Sequence, residues 1–143
     1  MRRVTGIAVI AMMAIITAAC SEHDKGEEGE QGAPTEACPS ASAALTTPPT
    51  LPAKFPSPSD TTYTASSKAG PSTIVEAYFS DDLDGAFSAY KSAFQNAGYT
   101  LTKDEQDPRD AELNWSGGNT TGEVKMDWPC KGRTELTITI RPS

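Results

Sequence analysis

The sequence predicts an α+β domain in which a single amphipathic helix packs on one face of a mostly antiparallel sheet of five or six strands. Three observations support this fold class: one segment with helical periodicity, several short segments in which apolar and polar residues alternate, and turn sequences between them. We place this domain at residues 58–143, after a flexible tether at 20–57 and a signal peptide at 1–19.

The domain is predicted to begin with a β-hairpin. Residues 61–65 and 73–79 are rich in Thr, Tyr, Ile, Val and Phe, which favour strands. Between them, Gly70 and Pro71 mark a turn. We therefore expect these two segments to pair as neighbouring antiparallel strands.

The strongest local signal is a helix predicted over residues 81–97. Its apolar residues recur at steps of four and three, which places them on one helical face. Ser80 is the predicted N-cap, three aspartates follow where the helix dipole favours acids, and Gly98 is the predicted stop. The residues on the predicted apolar face are Leu83, Phe87, Tyr90, Phe94 and Ala97.

The rest of the sheet is predicted from runs of period two after the helix. Strict alternation indicates strands with one buried face and one face in water. Turn sequences at residues 116–119 and 129–132 separate the runs. The apolar positions are Tyr99 and Leu101, then Ala111, Leu113 and Trp115, then Val124, Met126 and Trp128, and finally Leu136, Ile138 and Ile140.

Catalytic and metal-binding motifs are not evident in the domain. The single histidine, His23, lies in the tether and the domain has one cysteine, which excludes Ser-His-Asp and Cys-His arrangements and most zinc sites. Asp81, Asp82 and Asp84 lack the spacing of an EF-hand, so helix capping explains them better than calcium. The acidic run at 104–112 is interpreted as a solvated loop rather than a pair of catalytic carboxylates. We therefore expect no catalytic residue, no cofactor and no metal.

Trp115, Trp128 and Tyr78 are aromatic residues that could line a pocket or contact patch, and Trp115 and Trp128 are the candidate contact residues. Both fall on the apolar phase of their strands, so packing in the core is the competing interpretation. If one of them lies at the open end of the sheet, its exposed edge would mark a binding site for a partner.

The balance of charge narrows the class of partner. The whole chain has a net charge of −7, and removal of residues 1–19, which contain Arg2 and Arg3, makes it −9. Such an acidic protein disfavours nucleic acid and anionic lipid as partners, and no basic patch offsets this.

The first twenty residues have the three parts of an export signal. Arg2 and Arg3 form a positive start, sixteen uncharged residues follow, and small residues precede Cys20. As a helix, sixteen residues would cover about 24 Å, less than the hydrocarbon core of roughly 30 Å, so a stable membrane span is the weaker interpretation. The ending Ala18-Ala19-Cys20 resembles the lipobox of bacterial lipoproteins.

The resemblance implies that signal peptidase II cuts before Cys20 and that this residue carries lipid. Palmitate-type acyl chains would then hold the protein on the extracytoplasmic face of a bacterial cell membrane. In composition, the chain also resembles small uncharacterised lipoproteins of high-GC Gram-positive bacteria, a likeness that brings no activity with it.

The cysteine count supports a disulfide bond. With Cys20 assigned to lipid, Cys38 and Cys130 remain as a pair in an oxidising compartment. The alternative is two unrelated thiols, because Cys38 lies in a Pro-, Ser- and Ala-rich segment that has the composition of a solvated chain. Leu51 and Phe55 are the large apolar exceptions in that segment, and a bridge at Cys38 would favour their docking on the domain.

Together these observations predict a membrane-anchored extracytoplasmic lipoprotein with a non-enzymatic binding or accessory role in the cell envelope. Its expected partners are the membrane, through Cys20, and an envelope protein or small ligand. Two alternatives stay open: a small envelope hydrolase, and a purely structural or immunity-type surface protein.

Overall fold

The computed structural model describes residues 32–143, which form one six-stranded sheet and one helix. The predicted signal peptide and the predicted lipidation site at Cys20 lie outside the described residues. All neighbouring strands pair antiparallel, which confirms the α+β prediction. The elements are β1 (Thr61–Ala69), β2 (Ser72–Phe79), α1 (Leu83–Asn96), β3 (Thr100–Gln106), β4 (Asp110–Gly117), β5 (Thr120–Cys130) and β6 (Arg133–Pro142).

The strand order across the sheet is β1-β2-β6-β5-β4-β3. β1 and β2 form a hairpin, and β3 to β6 form a meander whose last strand pairs with β2. Because β3 lies at the far edge from β1, α1 carries the chain across one face of the sheet. Among residues 32–143, no helix is long and apolar enough to cross a membrane.

The predicted hairpin is present, and β1 is longer than its composition suggested. Its pairing with β2 continues to Ala69, because backbone hydrogen bonds do not require apolar side chains. The turn closes at Gly70, whose φ of 59° is accessible to glycine without strain.

The helix is two residues shorter at its start than predicted, and Ser80 is not its N-cap. Asp82 caps it instead: the backbone N–H of Gly85 donates to Asp82 Oδ1 at 3.0 Å. The end agrees with the prediction, since Gly98 follows the last turn with a φ of 82°. Ala97 is the exposed C-cap rather than a face residue, and Ala86 is buried in its place.

The core lies between α1 and the sheet and is rich in aromatic rings. Phe94 of the helix stacks on Trp115 of β4, with ring centroids 5.4 Å apart. Tyr99 meets the same indole edge to face at 5.3 Å. Gly122 of β5 leaves room for this indole, because a Cβ atom built there would lie 2.8 Å from Cε2 of Trp115. The opposite face of the sheet is polar and includes Glu76 and Glu123.

The segment before β1 packs on the domain. Phe55 is buried, Leu51 packs against the core, and the backbone N–H of Leu45 donates to the carbonyl of Tyr63 in β1 at 2.8 Å. Phe55 meets both Phe94 and Trp115 with centroid distances of 5.5 Å. The expected docking of Leu51 and Phe55 is therefore present in the structure, whereas the domain boundary at residue 58 remains a prediction.

Candidate functional site: a groove around Trp128

The candidate site lies where β5 leaves the regular sheet. The register between β5 and β6 shifts between Asp127 and Cys130, so Trp128 and Pro129 fall in an irregular stretch. Pro129 has no backbone N–H, which suits a position outside a regular ladder. Trp128 packs against the margin of the core and is half-buried.

An extended segment before Cys38 crosses this end of the sheet. We call residues 32–39 the N-terminal arm. Ala37 forms a single parallel bridge with Lys131, and the N–H of Lys131 donates to the carbonyl of Glu36 at 2.8 Å. Cys38 stands at disulfide distance from Cys130, with a Cα–Cα separation of 4.9 Å. The arm is thus joined to the turn between β5 and β6.

Arg109 joins the arm to β5 from the other side. Its Nε donates to the carbonyl of Trp128 at 3.2 Å, and a terminal nitrogen donates to the carbonyl of Gly32 at 3.3 Å. The N–H of Trp128 in turn donates to the carbonyl of Arg109 at 2.8 Å. These hydrogen bonds of the Arg109 guanidinium hold the arm beside Trp128.

Around Trp128 and the arm lie three pockets that share lining residues; together we call them the Trp128 groove, and each pocket is one of its sections. The first section has a volume of about 490 Å³ and lies between the arm and the start of α1. The second, also about 490 Å³, lies on the β4 side of Trp128, and the third, about 260 Å³, runs under the arm. Neighbouring sections share residues. Trp128 lines the first and second sections, and Arg109 and Pro129 line the second and third. Pro34 and Thr35 line the first and third.

The first section is mostly apolar and carries acids at one wall. Ala33, Pro34 and the Trp128 ring supply apolar surface, and Asp81 and Asp82 lie at the N-terminal end of α1. Both carboxylates accept backbone hydrogen bonds: Asp81 Oδ1 from the N–H of Asp82 at 2.9 Å, and Asp82 Oδ1 from Gly85 at 3.0 Å. These bonds fix the acids at the rim of the groove.

The second section carries another pair of acids. Asp110 of β4 stands directly opposite Asp127 of β5 in the strand register, and both line the section. With Glu36 in the third section, five carboxylates surround the groove against two cations, Arg109 and Lys131. Among residues 32–143, the ion pairs within 4.0 Å involve other acids than these five.

Of the two predicted contact residues, one lies in the core and the other lines the groove. Trp115 is 1% exposed and belongs to the core, as the competing interpretation held. Trp128 lines the groove at the end of the sheet. Its indole nitrogen is buried and has no hydrogen-bond partner among the described residues, so the ring is held by packing alone on that side.

The acidic run at residues 104–112 is not the loop that was expected. Apart from a short turn, it forms the ends of β3 and β4, and only Asp110 of its acids lines the groove. The amide of Asn114 and the ammonium of Lys103 donate to Glu112, which lowers the pKa of that carboxyl. Three acids of this hairpin form ion pairs with lysines, namely Asp104 with Lys91 of α1, and Glu105 and Glu112 with Lys103.

The sequence did not indicate several groove residues. Arg109 and the arm carry no periodic pattern, and their nearness to Trp128 follows from strand register and from Cys38. Pro34 and Pro129 are far apart in the sequence, and nothing in it indicates that both line the groove. Only the pairing predicted for Cys38 and Cys130 could have placed the arm here.

The groups that line the groove are carboxylates, an aromatic ring, proline surfaces and two cations. In the described part of the chain, no group of three His, Cys, Asp or Glu side chains could hold a metal ion. The chain matches no protein-family model, no curated protein and no solved structure. An aromatic ring, proline surfaces and fixed carboxylates in a concave furrow of this volume are typical of a ligand site.

Proposed function

We propose that this chain is a lipid-anchored extracytoplasmic protein with a non-enzymatic binding or accessory role in the cell envelope, and that the Trp128 groove is its binding site. The observation that carries the proposal is the groove itself, a furrow with an aromatic wall at the end of the sheet. Four of its five acids are engaged by backbone donors or face one another across strands, and no histidine lies in the domain.

The anchor supports this proposal through the length of chain before the groove. Gly32, where the arm begins beside Arg109, lies twelve positions after Cys20. An extended chain of that length spans at most roughly 40 Å. A lipid on Cys20 would therefore keep the groove within this distance of the membrane surface, where envelope partners are concentrated.

The anchor is tested by the intact mass of protein extracted from its native membrane. We expect a chain that begins at Cys20 and carries two or three acyl chains. A mass that starts elsewhere or lacks lipid would overturn the membrane-bound role and leave a freely secreted protein.

The binding role is tested by crosslinking in envelope fractions. We expect the wild-type protein to be linked to a defined partner, and Trp128→Ala to lose that link while Tyr78→Ala, a half-buried aromatic on the polar face of the sheet, keeps it. The control is a sample that carries the lipid anchor without the domain. Equal yields of the crosslinked partner from both variants and from this control would contradict the proposal.

A hydrolase is the second candidate, because Asp110 faces Asp127 in the groove. Paired carboxylates can act as acid and base when a substrate lies between them. Turnover of an envelope polymer by the wild type, lost in a folded Asp110→Asn variant, would favour this candidate over the binding role.

A further inference from the structure

We propose that the Trp128 groove binds an extended peptide segment that carries lysine or arginine side chains. This inference rests on the proposed binding function and names the class of its ligand. It depends on three features of the groove: its charge, its apolar surface and its division into sections.

The charge of the groove favours a cation. Five carboxylates line it against the two cations Arg109 and Lys131. Arg109 donates to two backbone carbonyls and forms no ion pair within 4.0 Å with these acids. An incoming ammonium or guanidinium group would therefore meet a net negative charge, and an anionic ligand would be repelled.

The apolar surface fits the stem of a basic side chain. Trp128, Pro34 and Ala33 provide an aromatic and aliphatic wall, with Asp81 and Asp82 at the same section. Lysine and arginine bury their methylene stems on such surfaces while the charged end contacts acids or the face of an aromatic ring. A compact inorganic cation would leave this wall without a partner.

The division of the groove favours a peptide over a small amine. One pair of acids, Asp81 and Asp82, lies in the first section, and a second pair, Asp110 and Asp127, lies in the section on the other side of Trp128. Because the two pairs line different sections, a small ammonium that occupies one section contacts one pair. An extended chain that passes Trp128 can present one basic side chain to each pair.

The test uses full-length protein in neutral detergent and a panel of fluorescent, capped hexapeptides. Each member has two lysines one, two or three positions apart in a background of alanine and proline. Matched members replace both lysines by norleucine, which keeps the stem and removes the charge, or by glutamate. Fluorescence anisotropy at low and at physiological salt gives the dissociation constants.

We expect at least one lysine spacing to bind about tenfold more tightly than its norleucine match, and this advantage to shrink as salt is raised. The double variant Asp81→Asn with Asp127→Asn removes one acid from each section and should abolish the advantage. The control Glu76→Gln with Glu123→Gln makes the same change of net charge on the polar face of the sheet and should preserve it. Trp128→Ala should weaken lysine and norleucine members alike.

Equal binding of lysine and norleucine members that still requires Trp128 would overturn the basic ligand and leave the proposed binding function intact. A lysine advantage that is lost equally in the control variant would show a general charge effect and would also overturn the inference. Absence of binding by every member up to about 1 mM would also overturn the inference. The proposed binding function is then tested independently by the crosslinking experiment.

Discussion

Phe55, from a segment without helix or strand, packs edge to face against Trp115 of β4, with ring centroids 5.5 Å apart. The helix covers β3, β4 and β5 more fully than the strands at the other edge. Phe55 enters the core beside the helix and is 8% exposed. Part of the segment predicted as tether is therefore a component of the core.

We expect Phe55→Ala to lower the free energy of unfolding by about 3–5 kcal/mol, because the change leaves a cavity against Phe94 and Trp115. Urea unfolding followed by tryptophan fluorescence measures this loss. Leu45→Ala is the control, since that side chain is only half-buried near the edge strand and should cost much less. A loss below about 1 kcal/mol for Phe55→Ala would contradict the packing described.

A disulfide between Cys38 and Cys130 would both hold the arm in place and stabilise the domain. Replacing Cys38 and Cys130 by serine in one variant should lower the free energy of unfolding by about 2–5 kcal/mol, because the unfolded chain regains the freedom of a loop with a sequence separation of 92. The arm should also lose protection from proteolysis. Urea unfolding and limited digestion measure the two effects.

The bridge itself is checked by alkylating the wild-type protein in urea without reductant. Unfolding exposes Cys130, which is otherwise buried, so protection by the fold cannot be mistaken for a bond. We expect neither Cys38 nor Cys130 to be alkylated. Two alkylated thiols would show that the pair is reduced.

The helix and the alternating strands could be predicted because their signals are local. Leu83, Tyr90 and Phe94 follow helical spacing, and Leu136, Ile138 and Ile140 alternate with polar residues. The N-cap was misplaced because Ser80 and Asp82 are both good caps, and the choice depends on how β2 ends.

Strand order and the groove could not be predicted from these signals. Alternation is the same whichever neighbour a strand has, so nothing local indicates that β6 lies between β2 and β5. The groove brings together the arm, the start of α1 and the ends of β4 and β5. Trp128 could be named as a candidate, but strand register brings Asp110 beside it and the packing of α1 brings Asp81 and Asp82.

Tyr90 should make the domain sensitive to alkali. Burial raises the pKa of this phenol, and the opposing hydrogen bond with Thr61 is the smaller effect. The folded state therefore keeps the proton above pH 10, where the unfolded chain loses it. This stability is fully present below pH 10 and is lost as the pH rises, by up to about 1.4 kcal/mol per pH unit.

Tyr90→Phe removes this titration. Between pH 9 and 11.5, the free energy of unfolding of the variant should fall less steeply than that of the wild type, although Phe lacks the bond to Thr61 and starts lower. Burial also raises the pKa values of Tyr63 and Tyr99, so some slope should remain. Parallel slopes for both proteins would show that Tyr90 ionises as readily in the fold as in the unfolded chain.

Arg109 should control how firmly the arm is held beside Trp128. Arg109→Gln removes the guanidinium that donates to the carbonyls of Gly32 and Trp128, at a net cost of about 0.5–1.5 kcal/mol per bond. The N–H of Lys131, which donates to Glu36 of the arm, should then exchange with deuterium about fivefold to tenfold faster. Arg141→Gln, at an exposed position near the end of β6, is the matched control. The Ala37–Lys131 bridge and the predicted Cys38–Cys130 bond are untouched in both variants. Unchanged exchange at Lys131 in Arg109→Gln would therefore mean that these contacts, and not Arg109, hold the arm beside Trp128.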